Sequence, residues 1–197
     1  LNFAPDSVSV RRLYEAMTAM ITPRPIAWVS TLDSSGVCNL APYSFFNGVG
    51  ANPPALMFCP ANRADGTAKD TLANIRVNGQ FVVNVVTEEF ADVMKKTSLE
   101  VAADEDEFTL TGTQKADSVV VKPPRVRDVA AAMECELLAS MQLGVGPGGA
   151  NLVVGRIVSI YLDDQTLDAD GRVDPNQIHT IGRMGGPQYT KSRDRFE

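Results

Sequence analysis

Between Ser34 and Asn62 no side chain carries a charge. Asn39, Asn47, Asn52, Pro42, Pro53, Pro54 and Pro60 interrupt that run. Together they forbid a membrane-crossing helix, because backbone groups freed by proline find no partner in hydrocarbon. The segment is therefore expected to lie buried and irregular inside a folded domain.

The flanking chain reads mostly as strands. Ile26 to Thr31 (IAWVST) is one, Asp33-Ser34-Ser35-Gly36 a turn, and Val37 to Tyr43 the returning strand of a hairpin. Ala55 to Cys59 is a further short apolar run. Phe81 to Val86 (FVVNVV) is apolar on both sides of the alternation except at Asn84, as in a strand covered on two faces. Ala131 to Leu143 and Asn151 to Asp163 are two long strands joined by the turn-rich Gly144 to Ala150.

Helices are short additions to this pattern. Leu13, Met17, Met20 and Ile21 form an apolar stripe behind a Ser9 N-cap. Lys69 to Gly79 is a second helix, with Asp70 or Thr71 capping its start, and Thr87 to about Lys96 a third. Ser98 to Thr113 is acidic and reads as a mobile loop, and the tail after Gly171 has little periodicity. Without regular β-α-β alternation the expectation is mainly β: an antiparallel barrel with helical additions, one domain over 1–197.

A net charge of −6 repels phosphate backbones and anionic lipid surfaces, which disfavours nucleic acid and membrane partners. Small phosphorylated molecules remain open to a locally basic spot, since screening limits the field of the whole protein to about 10 Å. Cys38, Cys59 and Cys135 are odd in number and widely spaced, so a cytoplasmic, reducing location is expected over a secreted disulfide framework. The N-terminal LNFAPDSVSVRRLYEAM shows no basic-then-apolar leader.

Several motifs carry little. Gly144-Val145-Gly146-Pro147-Gly148-Gly149 has dinucleotide-loop spacing, but a strand follows it where a helix N-terminus is needed, so it reads as a hairpin turn. His179 is the only histidine and cannot build a His-rich metal site; no metal is expected, and His179 reads as a surface or interface residue. Asp104-Glu105-Asp106-Glu107 lacks the spacing of a calcium loop and reads as solvated.

Two segments together suit a planar, phosphorylated cofactor. Asn39, Leu40, Ala41, Pro42, Tyr43, Ser44, Phe45, Phe46 and Asn47 mix aromatic rings with amide and hydroxyl groups. Arg63 and Lys69 put positive charge beside Asp70 and Thr71, at a helix start whose free N–H groups attract phosphate. Taken singly, the first reads sooner as an aromatic-rich strand end and the second as a surface loop before a capped helix.

Joined with PRPIAWVSTLDSSG, NLAPYSFFNGVGANPP, KDTLANI, GQFVVNVV and the tail pieces GRVDP and IGRMGGPQY, in that order, these segments closely resemble the flavin reductase-like family with an FMN-binding split barrel. That family includes flavoredoxin-like proteins and the nitrilotriacetate monooxygenase component B type. Gly50 and Asn52 depart from the Ser and Asp often found there. The resemblance implies a six-stranded antiparallel Greek-key split β-barrel with flanking helices, working as a homodimer with FMN near the subunit interface. It places Ser30 and Thr31 near the ribityl chain and phosphate, and Asn39 and Ala41 to Asn47 along the flavin ring. Arg63, Lys69 and Thr71 would hold the phosphate, with Asp70 capping the helix. Arg183, Gly185 and Tyr189 would approach the open ring face, where substrate binds.

The activity implied is an NAD(P)H:flavin reductase, with NADH or NADPH as co-substrate, no obligatory catalytic side chain, and a monooxygenase component as a potential recipient of reduced FMN. The alternatives are a flavoredoxin-like FMN electron carrier with protein partners and no nicotinamide turnover, and a non-redox FMN-binding dimer.

Overall fold

The computed structural model describes residues 2–196. Its sheet starts at the turn read from sequence: the Asp33 carboxylate accepts the N–H groups of Ser35 and Val37, both at 2.8 Å, and Gly36 takes the φ of 91° that the turn requires. Across it β1 (Ala27–Leu32) and β2 (Cys38–Tyr43) pair antiparallel, Leu32 opposite Cys38 and Ala27 opposite Tyr43. In chain order there follow β3 (Phe46–Ala51), β4 (Pro54–Phe58), β5 (Gln80–Val85), β6 (Lys115–Ala116), β7 (Arg125–Val126), β8 (Ala131–Gln142), β9 (Asn151–Leu162), β10 (Ile181–Arg183) and β11 (Tyr189–Lys191). The main sheet is antiparallel throughout, in the order β2-β1-β5-β8-β9-β4-β3; β6 pairs with β7, and β10 with β11.

The two edges of this sheet, β2 and β3, are joined by Ser44 and Phe45 alone. Such a link spans at most about 11 Å, so the sheet must curl until its edges approach each other. No ladder forms between them, and the seam stays open. The sheet thus has seven strands where the resemblance implied six, and hydrogen bonds do not close it. Strand β3 escaped the sequence reading because Asn47, Gly48 and Gly50 are poor strand formers.

Curling gives the sheet two cores. On the inner side Val29, Leu56, Phe81 and Val83 pack together, and the Tyr43 and Phe58 rings, from opposite ends of the strand order, come within 5.1 Å. Helix α2 (Asp70–Asn78) closes this side with Leu72 and Ile75. Outside, Trp28, Leu40 and Val82 are covered by Met94 of α3 (Ala91–Lys96) and Phe108 of α4 (Glu107–Thr111). FVVNVV is indeed buried on both faces, with Asn84 donating to the Trp28 carbonyl at 2.9 Å.

Helix α1 (Val10–Met20) starts at Ser9, whose hydroxyl accepts the Arg12 N–H, but much of its apolar stripe faces outward, Met20 being 75% exposed. Three further expectations are corrected. The acidic stretch Ser98 to Thr113 contains α4, capped by the Asp106 carboxylate, with Glu107 and Phe108 buried. The uncharged run is not buried throughout, since residues 47–54 are exposed. The unpatterned tail forms the β10–β11 hairpin. The glycine-rich turn at 144–150 joins β8 to β9, as read.

Candidate active site

Alternation along β2 sends Cys38 and Leu40 to the outer core and turns Asn39, Ala41 and Tyr43 the other way, toward the start of α2. The Asn39 amide donates to the Thr71 hydroxyl at 2.8 Å and ties strand to helix. Lys69 occupies the N-cap position of α2, and no side chain caps it. The first N–H groups of the helix, which lack partners inside any helix, therefore remain available beside a cleft of ≈ 70 Å³. Asp70, expected as the cap, pairs with Arg63 instead. Arg63 also donates to the Ala68 carbonyl, so its guanidinium folds the 63–70 loop onto itself. Lys69 has no carboxylate partner among the described residues.

The same cleft is walled by two groups that no motif announced. Thr97 to Val101 close one side, and Glu107 of α4 closes another. One Glu107 oxygen accepts the Leu40 N–H at 2.8 Å; burial raises its pKa to about 7, the Asp70 and Asp106 charges adding to the effect. Asp106 followed by Phe108, Leu110 and Gly112 is a capped-helix pattern that could have revealed this residue. Tyr43 is 7% exposed and its hydroxyl has no hydrogen-bond partner. Burial pushes its ionisation up, so it stays a neutral donor. A buried hydroxyl left unpaired costs about 1–3 kcal/mol, and Tyr43 is one of the residues around the cleft, with Thr71 close to its hydroxyl.

Past the shared wall of Pro42, Tyr43 and Ser98 the cleft opens into a second compartment of ≈ 230 Å³. Ser44, Tyr14 and Met94 line it, with Arg183 and Tyr189 from the tail. The Arg183 guanidinium lies over the Tyr189 ring at 4.6 Å and donates to the Gly186 carbonyl at 2.7 Å. The structure thus brings the cationic loop, the Asn39–Ser44 strand end and the tail hairpin to one place.

Other residues named from sequence lie elsewhere. Ser30 and Thr31 are fully buried behind the cleft, Ser30 donating to the Pro124 carbonyl at 2.5 Å and Thr31 accepting from Asn74 at 3.1 Å. Phe45 turns toward Tyr14 and Arg24, Phe46 lines a neighbouring apolar depression, and Asn47 is exposed. Of the stretch 41–47, residues 41–44 line the two compartments and 45–47 turn away, because the chain leaves β2 there to start β3. Gly185 packs on α1, where a side chain would press on Ala19. His179 donates its Nε2–H to the Asn176 carbonyl at 2.9 Å and lines a larger depression with Glu88, Glu89, Asp128 and Asp163, whose charges would repel phosphate.

A cleft with a cationic, helix-capped end and a flat, partly aromatic end fits a planar ring bearing a phosphate: the orphaned Tyr43 hydroxyl and the uncapped N–H groups are donors awaiting an acceptor. Comparison with known proteins points the same way. The model of the family described as "Flavin reductase like domain" matches residues 19–177. An uncharacterized protein of Aquifex aeolicus is 36% identical over 180 residues, 91% of this chain and 90% of that protein. Nitrilotriacetate monooxygenase component B from Bacillus cereus superposes with a TM-score of 0.94 at 31% identity, covering 100% of this chain and 98% of that one. The 2-nitrobenzoate 2-nitroreductase NbaA of Pseudomonas fluorescens gives 0.89 at 32% identity, covering 100% and 94%.

Proposed function

The chain belongs to the flavin reductase-like family, and from that premise we propose that it is an FMN-binding oxidoreductase that takes reducing equivalents from NADH or NADPH. The observation that carries the FMN assignment is the buried, unpartnered Tyr43 hydroxyl beside Lys69 and the uncapped start of α2. A riboflavin lacking phosphate would leave those donors unused.

In this reading Lys69, the α2 N–H groups and the Thr71 hydroxyl hold the phosphate, and Arg63 keeps their loop in shape. Backbone groups of Ala41 to Ser44 border the ring, and Arg183 with Tyr189 flanks its open side, where a nicotinamide would enter. When bound, FMN supplies a ring that accepts two electrons and a proton from a reduced nicotinamide. The protein's share is positional: it fixes the ring, limits water at one face and aligns the donor, a contribution worth several kcal/mol. No buried acid or base next to the ring compartment is required, and His179 is remote from it.

The test is direct. Purified protein should bind FMN and consume NADH or NADPH, followed by loss of nicotinamide absorbance. Tight FMN with no nicotinamide turnover would favour an electron carrier instead. A second test reads the carrying observation. Tyr43→Phe should leave the flavin-free protein as stable or about 1 kcal/mol more stable, yet weaken FMN by about tenfold, because an unpaired buried hydroxyl costs folding and serves only the ligand. Equal FMN affinity in titrations of both proteins would remove Tyr43 from the site.

We also propose that a second copy covers the exposed uncharged surface. Strand β3 is exposed along most of its length, Val49 at 60%, and Met20 and Ile21 at the end of α1, Leu138 and Met141 on β8 and Leu143 just after it are bare as well. That much apolar surface on a monomer marks an interface. Sedimentation velocity should give a dimer of 21.2 kDa chains; a monomer at micromolar concentration would sink the proposal. A monooxygenase that receives reduced FMN is a further proposed partner, supported by the name of the Bacillus cereus relative, and co-sedimentation with a candidate oxygenase tests it. Three unpaired cysteines favour a reducing compartment such as the cytoplasm, which localisation in the source cell would check.

A further inference from the structure

Glu107 is nine-tenths buried on the wall of the phosphate compartment, although it comes from α4 rather than from the cationic loop. One of its oxygens accepts the Leu40 N–H; the other has no protein donor among the described residues. The charges around it are already committed. From the loop before α2, Arg63 is paired with Asp70 of that helix, and on its own side Asp106 is paired with Lys115 of β6. Strand β2 faces it with the Tyr43 phenol, and the neighbouring Cys38 thiol lies beside Lys115; both stay protonated. Glu100 stands at the rim. Among the described residues around the cleft, Lys69 is thus the one cation left to meet two negative groups, the phosphate and an ionised Glu107. Two anions sharing one cation in a narrow cleft repel, and the cheapest relief is to place a proton between them.

Resting on the FMN reading above, we propose that Glu107 is the proton-bearing wall of the phosphoryl site: as the neutral acid it donates a hydrogen bond to the phosphate held by Lys69, so that FMN enters together with one proton. No bond is made or broken beyond that O–H transfer; the proton comes from solvent and returns there on release. Glu107 is then a specificity element as well. It penalises FMN at alkaline pH and leaves riboflavin, which has no phosphate, untouched. The raised pKa of Glu107, about 7 through burial, agrees in direction and sets the pH above which a proton must be taken up.

Titration of the full chain with FMN and with riboflavin, by quenching of flavin fluorescence from pH 6 to 9, tests this. Relative to riboflavin, FMN affinity should fall by about tenfold per pH unit above 7, the slope of one linked proton. In weakly buffered solution at pH 8 an indicator dye should report close to one proton taken up per FMN bound. Glu107→Gln, which keeps the Leu40 N–H acceptor, should bind FMN with an affinity flat across the range. FMN affinity that does not fall above pH 7, absence of proton uptake by the unaltered chain, or an unchanged slope in Glu107→Gln overturns the inference while leaving the FMN reading intact. Failure to bind either flavin at any pH overturns both.

Discussion

Replacing Arg24 with alanine is expected to cost about 3 kcal/mol of folding stability and to loosen the ring end of the cleft in the same step. Arg24 is 4% exposed, and its guanidinium hydrogen-bonds to three parts of the chain that share no ladder beyond one bridge. It donates to the Thr18 and Ile21 carbonyls at the end of α1, at 2.7 and 2.6 Å. It also donates to the Met184 carbonyl in the tail turn at 3.0 Å and to the Ser44 hydroxyl at 3.3 Å. Alanine leaves three carbonyls unpaired and a void beneath the Phe45 ring. Urea denaturation should show the loss in midpoint, and FMN titration of the folded fraction should show weaker binding, since Ser44 and Arg183 line the ring compartment. Arg24→Lys should recover little, because one ammonium cannot reach the several acceptors that a planar fork spans. A change below about 0.5 kcal/mol, the range of an ordinary surface substitution, would show that α1 and the tail are held by packing alone.

Glu134→Ala should be the most destabilising single change, about 3–5 kcal/mol. The Glu134 side chain, 3% exposed in β8, accepts three successive backbone N–H groups, those of Val119, Val120 and Val121, at 2.8, 2.6 and 3.0 Å. That segment pairs with no strand there. Its other anchors are side chains too: Ser30 to the Pro124 carbonyl, Gln80 to the Lys122 N–H and Asn84 to the Val126 N–H. Removing the carboxylate strands three donors at once, and hydrogen exchange at Val119 to Val121 should accelerate together. Glu134→Gln, with one accepting oxygen, should fall between. Unchanged exchange at those three amides in the alanine variant would mean that the segment is held from elsewhere.

The elements that sequence made legible are those whose pattern is local. The Asp33 turn, β5 buried on both faces, α2 ending at Gly79 and the long β8–β9 pair each rest on residues within a few positions of one another. The cleft was legible in its two halves for the same reason: Lys69 and the start of α2 form one stretch, Asn39 to Ser44 another. The misreadings occur where local chemistry and tertiary environment disagree. An acidic run such as Asp104 to Glu107 is solvated unless something far away shelters it, and the shelter for Glu107 is Leu40, 67 positions earlier. Ser30 looks like a ligand group until the Pro124 carbonyl takes its hydrogen.

By itself, then, the chain determined its strands, most of its helices, the hairpin order that makes it mainly β, and the residue types a phosphorylated planar ligand would need. Tertiary structure alone decided which of those residues share a cavity, that the sheet curls with an open seam, that the Tyr43 hydroxyl is buried unpaired and that the Glu107 carboxyl group stands in the cleft with Lys69. The division follows from range: backbone propensity and periodicity act over a few residues, whereas burial, and with it the cost of every unpaired donor or charge, is set by whatever distant chain the fold brings alongside.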